Sequence, residues 1–278
     1  MARKFKRNRA IPFLLLLLLL LVLVAAYLML VPDISGLVRE NPRKTSFMEY
    51  REREWKREGK RYHIQQRWVP LSHISPYLMK AVLIAEDDKF WSHEGFDYDA
   101  IRKAIEKDLK EKKFKIGGST ISQQLVKNLY LSPEKNLLRK IREAVITWRM
   151  EKVLTKKRIL ELYLNIAEWG DRGIFGIEAA SQHYYGKSAL ALNPLESARL
   201  AAILPNPRKY NPGAESGYVA RRAALIYGIM VKRGIVSPEY EEIIREGETV
   251  HSEEEPASEV LRESPIVMPS EGGTSRSP

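Results

Sequence analysis

The sequence predicts a mostly α-helical globular domain carried behind a single membrane-spanning helix at its N-terminus. Three observations point there. Residues 11–31 form a run of 21 without a charge, directly after five basic residues, Arg3, Lys4, Lys6, Arg7 and Arg9. Downstream, apolar residues recur at helical rather than alternating spacing, with Ser, Thr or Asn ahead of several of these stretches as a cap. The chain of 278 residues is 44% hydrophobic and 29% charged, which suits one sizeable core.

At about 1.5 Å per residue the uncharged run matches the roughly 30 Å hydrocarbon core of a bilayer. A cleaved signal peptide is the alternative, but its apolar stretch usually stops by about 15 residues, and no small-x-small site precedes Pro32. Residues 1–10 then stay cytoplasmic and everything from Asp33 onward lies outside. A net charge of +11 attracts polyanions. Placement outside the membrane removes nucleic acid from these and leaves anionic lipid or a phosphate-bearing substrate. With no cysteine, a disulfide framework and thiolate metal sites are excluded, and the redox compartment stays open.

After the anchor, residues 32–64 alternate acids and bases and read as a stalk or solvated helix, a plain spacer. Tyr62, Ile64, Gln66 and Trp68 share a face of a short strand over 61–69. Ser75-Pro76 then opens a helix whose face of Leu78, Val82 and Ala85 leads to Glu86. Ser132-Pro133 opens a second, with Leu137, Ile141, Ala144, Val145 and Trp148 turned inward. Thr155 caps a third, burying Ile159, Leu162, Tyr163 and Ile166 and stopping by Gly170. Asn193-Pro194 with Glu196 makes a capping box for a fourth that ends at Pro205. Ser237-Pro238 starts another. The helical domain is expected over 65–246. Residues 247–278, rich in Ser, Glu, Pro and Gly, read as a disordered tail.

Three clusters could carry chemistry. The first runs from Glu86 to Gly95 and includes Asp87, Phe90 and His93. A carboxylate where an apolar helix meets a loop is partly desolvated, which raises its pKa and suits acid or base work. It also opposes the helix dipole, so its location needs an explanation. An acidic helix end in solvent, with His93 as a hydrogen-bonded structural residue, is the plain alternative. The second cluster, Gly117 to Asn128, sets paired glycines before Ser119, Thr120, Gln124, Lys127 and Asn128. These donors suit phosphate or sugar hydroxyls, against the plainer reading of a turn into a polar helix. Its order is not that of a Walker loop. The third places Arg139 and Glu143 at i,i+4, either a surface ion pair or a cation and a second carboxylate aimed at one site. Ser132-x-x-Lys135 fits a penicillin-reactive pattern, but neither Ser-Asp-Asn nor Lys-Thr-Gly is present. The basic stretch between Arg102 and Lys115 reads as a solvated face; Phe114 and Ile116 also admit a membrane-surface contact.

Taken in order, these clusters resemble the monofunctional biosynthetic peptidoglycan glycosyltransferases (glycosyltransferase family 51), whose domain also forms the polymerase half of bifunctional penicillin-binding proteins. The match covers about 67–212, including Ile159 to Asn165, Gly173 to Tyr185 and Leu195 through Tyr210-Asn211-Pro212. The resemblance implies a lysozyme-like, mostly α fold. It implies transfer of a growing glycan chain from undecaprenyl diphosphate to the 4-hydroxyl of lipid II, with inversion, during cell wall biogenesis. Glu86 would be the base, and Glu143 a second carboxylate near the diphosphate that organises cations or a metal. Lys127 and Arg139 would neutralise the leaving diphosphate. Ser119, Thr120, Gln124 and Asn128 would line the channel, with Asp87, Phe90 and His93 as the wall around Glu86. Bifunctional relatives have a lysine where this chain reads Leu204-Pro205-Asn206-Pro207-Arg208, and Arg208 is its candidate replacement. No cofactor is obligatory, although a divalent cation (Mg or Mn) at the diphosphate is admitted. Lipid II, the lipid-linked chain, the membrane and other cell-division or cell-wall synthesis proteins are the implied partners. Localisation would be the inner membrane, with the catalytic domain periplasmic. About sixty residues follow Pro212, below usual domain size, so no transpeptidase domain is expected in them. The competing readings are a lysozyme-like hydrolase or lytic transglycosylase acting on finished glycan, and a tethered scaffold without turnover.

Overall fold

Capping side chains set where many of the helices start. In the computed structural model, which describes residues 10–29, 31–111, 118–133 and 136–237, Thr45, Thr120, Asn136, Thr155 and Asn193 each accept from the N–H three residues on. Each answers one of the donors that a helix start leaves unpaired. The elements are α1 (Ala10–Met29), α2 (Ser46–Arg57), β1 (Gln65–Gln66), α3 (Pro76–Glu86), α4 (Tyr98–Glu111), α5 (Ile121–Tyr130), α6 (Leu137–Val153), α7 (Lys156–Ile166), β2 (Ile174–Phe175), α8 (Ile177–Tyr185), α9 (Pro194–Ile203) and α10 (Gly217–Lys232). All belong to one compact unit, Met1–Lys232; a second unit is Arg233–Pro278. The basic flank before Ala10, the helix expected from Ser237-Pro238 and the tail at 247–278 lie outside the described residues.

The predicted starts at Pro76, after Thr155 and after Asn193 all form. Ser75 nevertheless spends its hydroxyl on the Leu192 carbonyl at 2.7 Å instead of capping. The helix expected from Ser132-Pro133 begins at Leu137, because Asn136 is the residue that caps it, at 2.6 Å from the Arg139 N–H. Of the strand expected over 61–69, only Gln65–Gln66 pairs, parallel to Ile174–Phe175. Asn165 holds this segment to α7, accepting from Val69 N and donating to Val69 O, each at 2.9 Å. Gly176 is at φ +77, and a Cβ there would lie 2.5 Å from the Asn165 carbonyl, so this junction admits glycine alone.

Two expectations are corrected. The segment 32–64 is not a plain spacer: α2 packs on α5 and buries Met48 and Trp55 to 1% and 2% exposure. Its charge hid this, since the apolar residues are few and the bases pair with acids elsewhere, as Arg51 does with Glu168. Trp55→Ala should therefore destabilise by about 3–5 kcal/mol, read as a lower chemical-denaturation midpoint; an unchanged midpoint would restore the spacer.

The second concerns α6. Leu137, Ile141 and Trp148, expected inside, stand 76%, 40% and 58% exposed, while Glu143, Ile146, Thr147 and Met150 are buried. The face that α6 buries holds Glu143 with Ile146, Thr147 and Met150, and there Glu143 interacts with Lys127 of α5; Leu137, Ile141 and Trp148 lie off that face. The expected inward residues Leu78 and Val82 of α3 and Ile159, Leu162, Tyr163 and Ile166 of α7 are all buried; α3 packs on α9 and α10, and α5 on α6 and α7.

A helix, α1, forms over most of the expected anchor segment. Among the described residues no helix is long and apolar enough to cross a membrane. Side chains of α1 are described over 12–26, where the large apolar residues from Phe13 to Leu23 are 42–67% exposed.

Candidate active site

Helix α3 ends on Glu86 because Asp87, with φ −163, leaves helical geometry as its C-cap. From α5, Gln124 Nε2 donates to Glu86 Oε2 at 2.9 Å. Tyr163 on α7 donates its hydroxyl to Gln124 Oε1 at 3.1 Å, which fixes the amide so that its NH2 faces the carboxylate. Arg222 on α10 places Nη2 3.6 Å from Glu86 Oε1. Burial raises the Glu86 pKa above its ordinary value; the Gln124 bond, Arg222 and Lys127 oppose that rise, and Asp87 adds to it. The result is a carboxylate readied to take a proton.

One turn beyond Gln124, burial pulls the Lys127 ammonium below its usual pKa; Glu143 and Glu86 hold it up, while Arg139 and Lys140 act with burial. Glu143, 3% exposed, accepts from Arg139 Nη1 at 2.9 Å and from Lys140 Nζ at its other oxygen. Lys140 also donates to Ser119 Oγ at 3.2 Å. Three cations therefore gather around a single carboxylate, an excess of positive charge that suits an anion.

Two cavities meet here. One, about 480 Å³, is lined by Glu86, Asp88, Asp97, Ser119, Thr120, Gln124 and Arg222. The other, about 210 Å³, is lined by Phe47, Arg51, Gln124, Lys127, Asn128, Tyr163, Glu168 and Arg208. Gln124 and Pro205 belong to both walls. Arg208 is held at the second by Glu54 at 3.0 Å, and Glu54 also takes Arg51 at 2.8 Å. Arg51 in turn grips Glu168 by two bonds of 2.8 Å.

The structure thus brings Glu86, Ser119, Thr120, Gln124, Lys127, Asn128, Arg139, Glu143 and Arg208 to these cavities and the cation cluster beside them. Asp87 also lines the first cavity, beside Glu86, whereas Phe90 and the side chain of His93 are buried next to it. Asp87 accepts from Ile121 N at 2.9 Å, which fixes the start of α5, and from His93 Nε2 at 2.9 Å. His93 Nδ1 accepts from Gly95 N at 3.0 Å, so Nε2 is the nitrogen that carries the donated proton. Phe90 is fully buried beneath them. Together they hold Glu86 and the start of α5 in place. Thr120 likewise caps α5 and donates to Gly95 O at 2.7 Å.

Sequence reasoning passed over Arg222, Tyr163, Arg51 and Lys140 as site residues. Only Lys140 had a legible signal, its i,i+3 spacing from Glu143. A resident divalent cation does not fit Glu143, because both of its oxygens already carry a cation. Among the described residues no cluster of three acids or histidines forms a metal site.

Comparison with known proteins adds a family match: residues 53–231 fit the family model described as Transglycosylase. The chain is 47% identical over 195 residues to a biosynthetic peptidoglycan transglycosylase of Nitrosospira multiformis, covering 70% of this chain and 84% of that protein. A protein of the same name from Dechloromonas aromatica is 48% identical over 190 residues, covering 68% and 82%. Another, from Azoarcus sp., is 52% identical over 170 residues, covering 61% and 73%.

Proposed function

We propose, from the premise that this chain belongs to the transglycosylase family, a mechanism in which Glu86 is the base of a glycan-polymerising reaction. The protein is a peptidoglycan glycosyltransferase that builds glycan chains in cell wall biogenesis. In the proposed step the 4-hydroxyl of lipid II attacks the anomeric carbon of the donor chain. The new O–C bond forms as the bond to undecaprenyl diphosphate breaks, with inversion. Glu86 receives the hydroxyl proton, and the departing diphosphate takes its charge to Lys127, Arg139 and Lys140, whose fixed positions cost no reorganisation during the reaction. Ser119, Gln124, Asn128 and Arg208 bind along the two cavities. Asp87, Phe90, His93 and Thr120 act as positioning residues.

The observation that carries this reading is the juxtaposition of a desolvated Glu86 with the cations around Glu143 at two joined cavities. A hydrolase of finished glycan has no need of such an anion site. The reading also includes a lysozyme-like helical architecture, a single membrane span at α1 and a domain that faces the outer side of the inner membrane. Its support is that α1 is apolar on all sides, and that α6 exposes Leu137, Leu138, Ile141 and Trp148 next to α1. Such patches mark contact surfaces, here for lipid, where the substrate's own anchor resides.

The test is incubation of the full chain in detergent or vesicles with labelled lipid II. Lipid-linked polymer is expected; release of soluble fragments from preformed peptidoglycan without polymer would instead establish the hydrolase.

A further inference from the structure

A glutamate at the C-terminal end of a helix faces the negative pole of that helix, so a charge must compensate it for the site to hold an ionised base. We propose that Arg222 is that charge, a positioning residue that aims Glu86 and keeps it ionised; this rests on the reading of Glu86 as the base. Its guanidinium binds both negative groups at once. Nη2 donates to the Ala85 carbonyl at 3.0 Å and stands 3.6 Å from Glu86 Oε1.

Arg222 reaches them because it sits on the inward stripe of α10 with Val219, Ala223, Ile226 and Met230, all four buried. Its Nε is buried with no hydrogen-bond partner among the described residues. Partial burial of this cation, 28% exposed at the cavity wall, costs desolvation that a counter-charge offsets.

The other groups around Glu86 do not replace it. Asp87, next in the chain, and Asp88 and Asp97 on the cavity wall favour protonation of Glu86. From α5, Gln124 supplies a neutral bond. Lys127 is shared with Glu143. Tyr163, from α7, is kept neutral by burial, and α9, packed along α3, buries only Pro, Ser, Ala, Leu and Ile side chains. Arg222 is therefore the cation committed to Glu86.

The sign follows directly. A base works above its pKa and fails as pH falls through it. Loss of Arg222 removes an influence that lowers the Glu86 pKa, so the acid limb of the rate must move to higher pH. The test compares wild type with Arg222→Gln, which keeps a donor for Ala85 but no charge, Arg222→Met, and the charge-retaining Arg222→Lys. Initial polymerisation rates are measured across pH, with thermal melting to verify folding. In Gln and Met variants the ratio of neutral to alkaline rate should fall several-fold against wild type, and Lys should restore it. An acid limb left in place by Arg222→Gln, however low the rate, would overturn the proposal, and a Met variant that does not fold leaves Gln to decide.

Infrared titration of the Glu86 carboxyl, taken as the difference from Glu86→Gln in each background, needs no turnover. It separates the outcomes: an upward shift with no polymer from any variant means the assigned reaction fails while the coupling stands. No shift means that the coupling fails.

Discussion

Glu86→Gln is expected to remove polymer formation, by at least about 10²-fold, the lower bound for deleting a positioned general base, while leaving the fold close to wild-type stability near neutral pH. The two halves have one cause. Burial raises the carboxyl pKa above its ordinary 4.5, so the folded protein holds this proton more tightly than the unfolded chain does. The group's contribution to stability is then fully present below the unfolded value and is lost as pH rises through the folded one. At neutral pH glutamine removes the cost of the ionised, buried carboxylate and still accepts from Gln124 Nε2, which offsets the counter-charge that Arg222 loses while keeping its bond to Ala85 O. Lipid II turnover and thermal melting of both proteins check it. Polymer from the variant at the wild-type rate would take the base role away from Glu86, and a large drop in melting temperature would make Glu86 structural. The wild-type rate should also fall as pH is lowered through the raised pKa.

Glu143→Gln should act in the opposite sense on stability. The carboxylate is 3% exposed and joins Arg139 and Lys140, whose side chains are 15% and 37% exposed. Removing one partner of a fully buried pair costs about 3–5 kcal/mol because the survivor is left uncompensated. Lys140 is exposed enough for water to screen it, so about 2 kcal/mol is the expected loss. Polymerisation should fall with it, since Arg139, Lys140 and Lys127 then repel one another without the acid that gathers them. Chemical denaturation reads the first effect and lipid II turnover the second. A variant of wild-type stability would mean that the cations do not depend on Glu143. Any response of rate to Mg or Mn should be parallel in the two proteins, because the oxygens of Glu143 are taken by side-chain cations. A response present in wild type and abolished in the variant would make Glu143 a metal ligand after all.

Much of the site was legible because its logic is local in the chain. Gln124 and Lys127 lie one turn apart on α5, and Arg139 and Glu143 one turn apart on α6, so spacing alone sets them on shared faces. What spacing cannot register is contact between helices distant in sequence. Arg222 lies 136 positions after Glu86 and meets it because α10 packs on α3. Arg51 and Glu54 belong to a segment so charged that it resembled a spacer, and their acid and base partners, Glu168 and Arg208, are more than a hundred residues away. His93, which by itself reads as a hydrogen-bonded structural residue, is bonded to Asp87 and Gly95, and Asp87, which lines the cavity, also fixes Ile121.

The sequence by itself determined that the domain is mostly helical, where several of the helices start and which residue types the chemistry has available, because caps and periodicity are properties of neighbours within a turn or two; α8 and α10 were not among the helices it placed. Only the tertiary structure decided which way each face turns. On α6 two sets of apolar residues competed for the interior, and the set that prevailed is Ile146 and Met150 with Thr147 and Glu143, since Glu143 there interacts with Lys127 of α5, while Leu137, Ile141 and Trp148 meet the outside. Burial follows from the total interactions of a helix with its neighbours, and an amphipathic pattern records only that two faces differ.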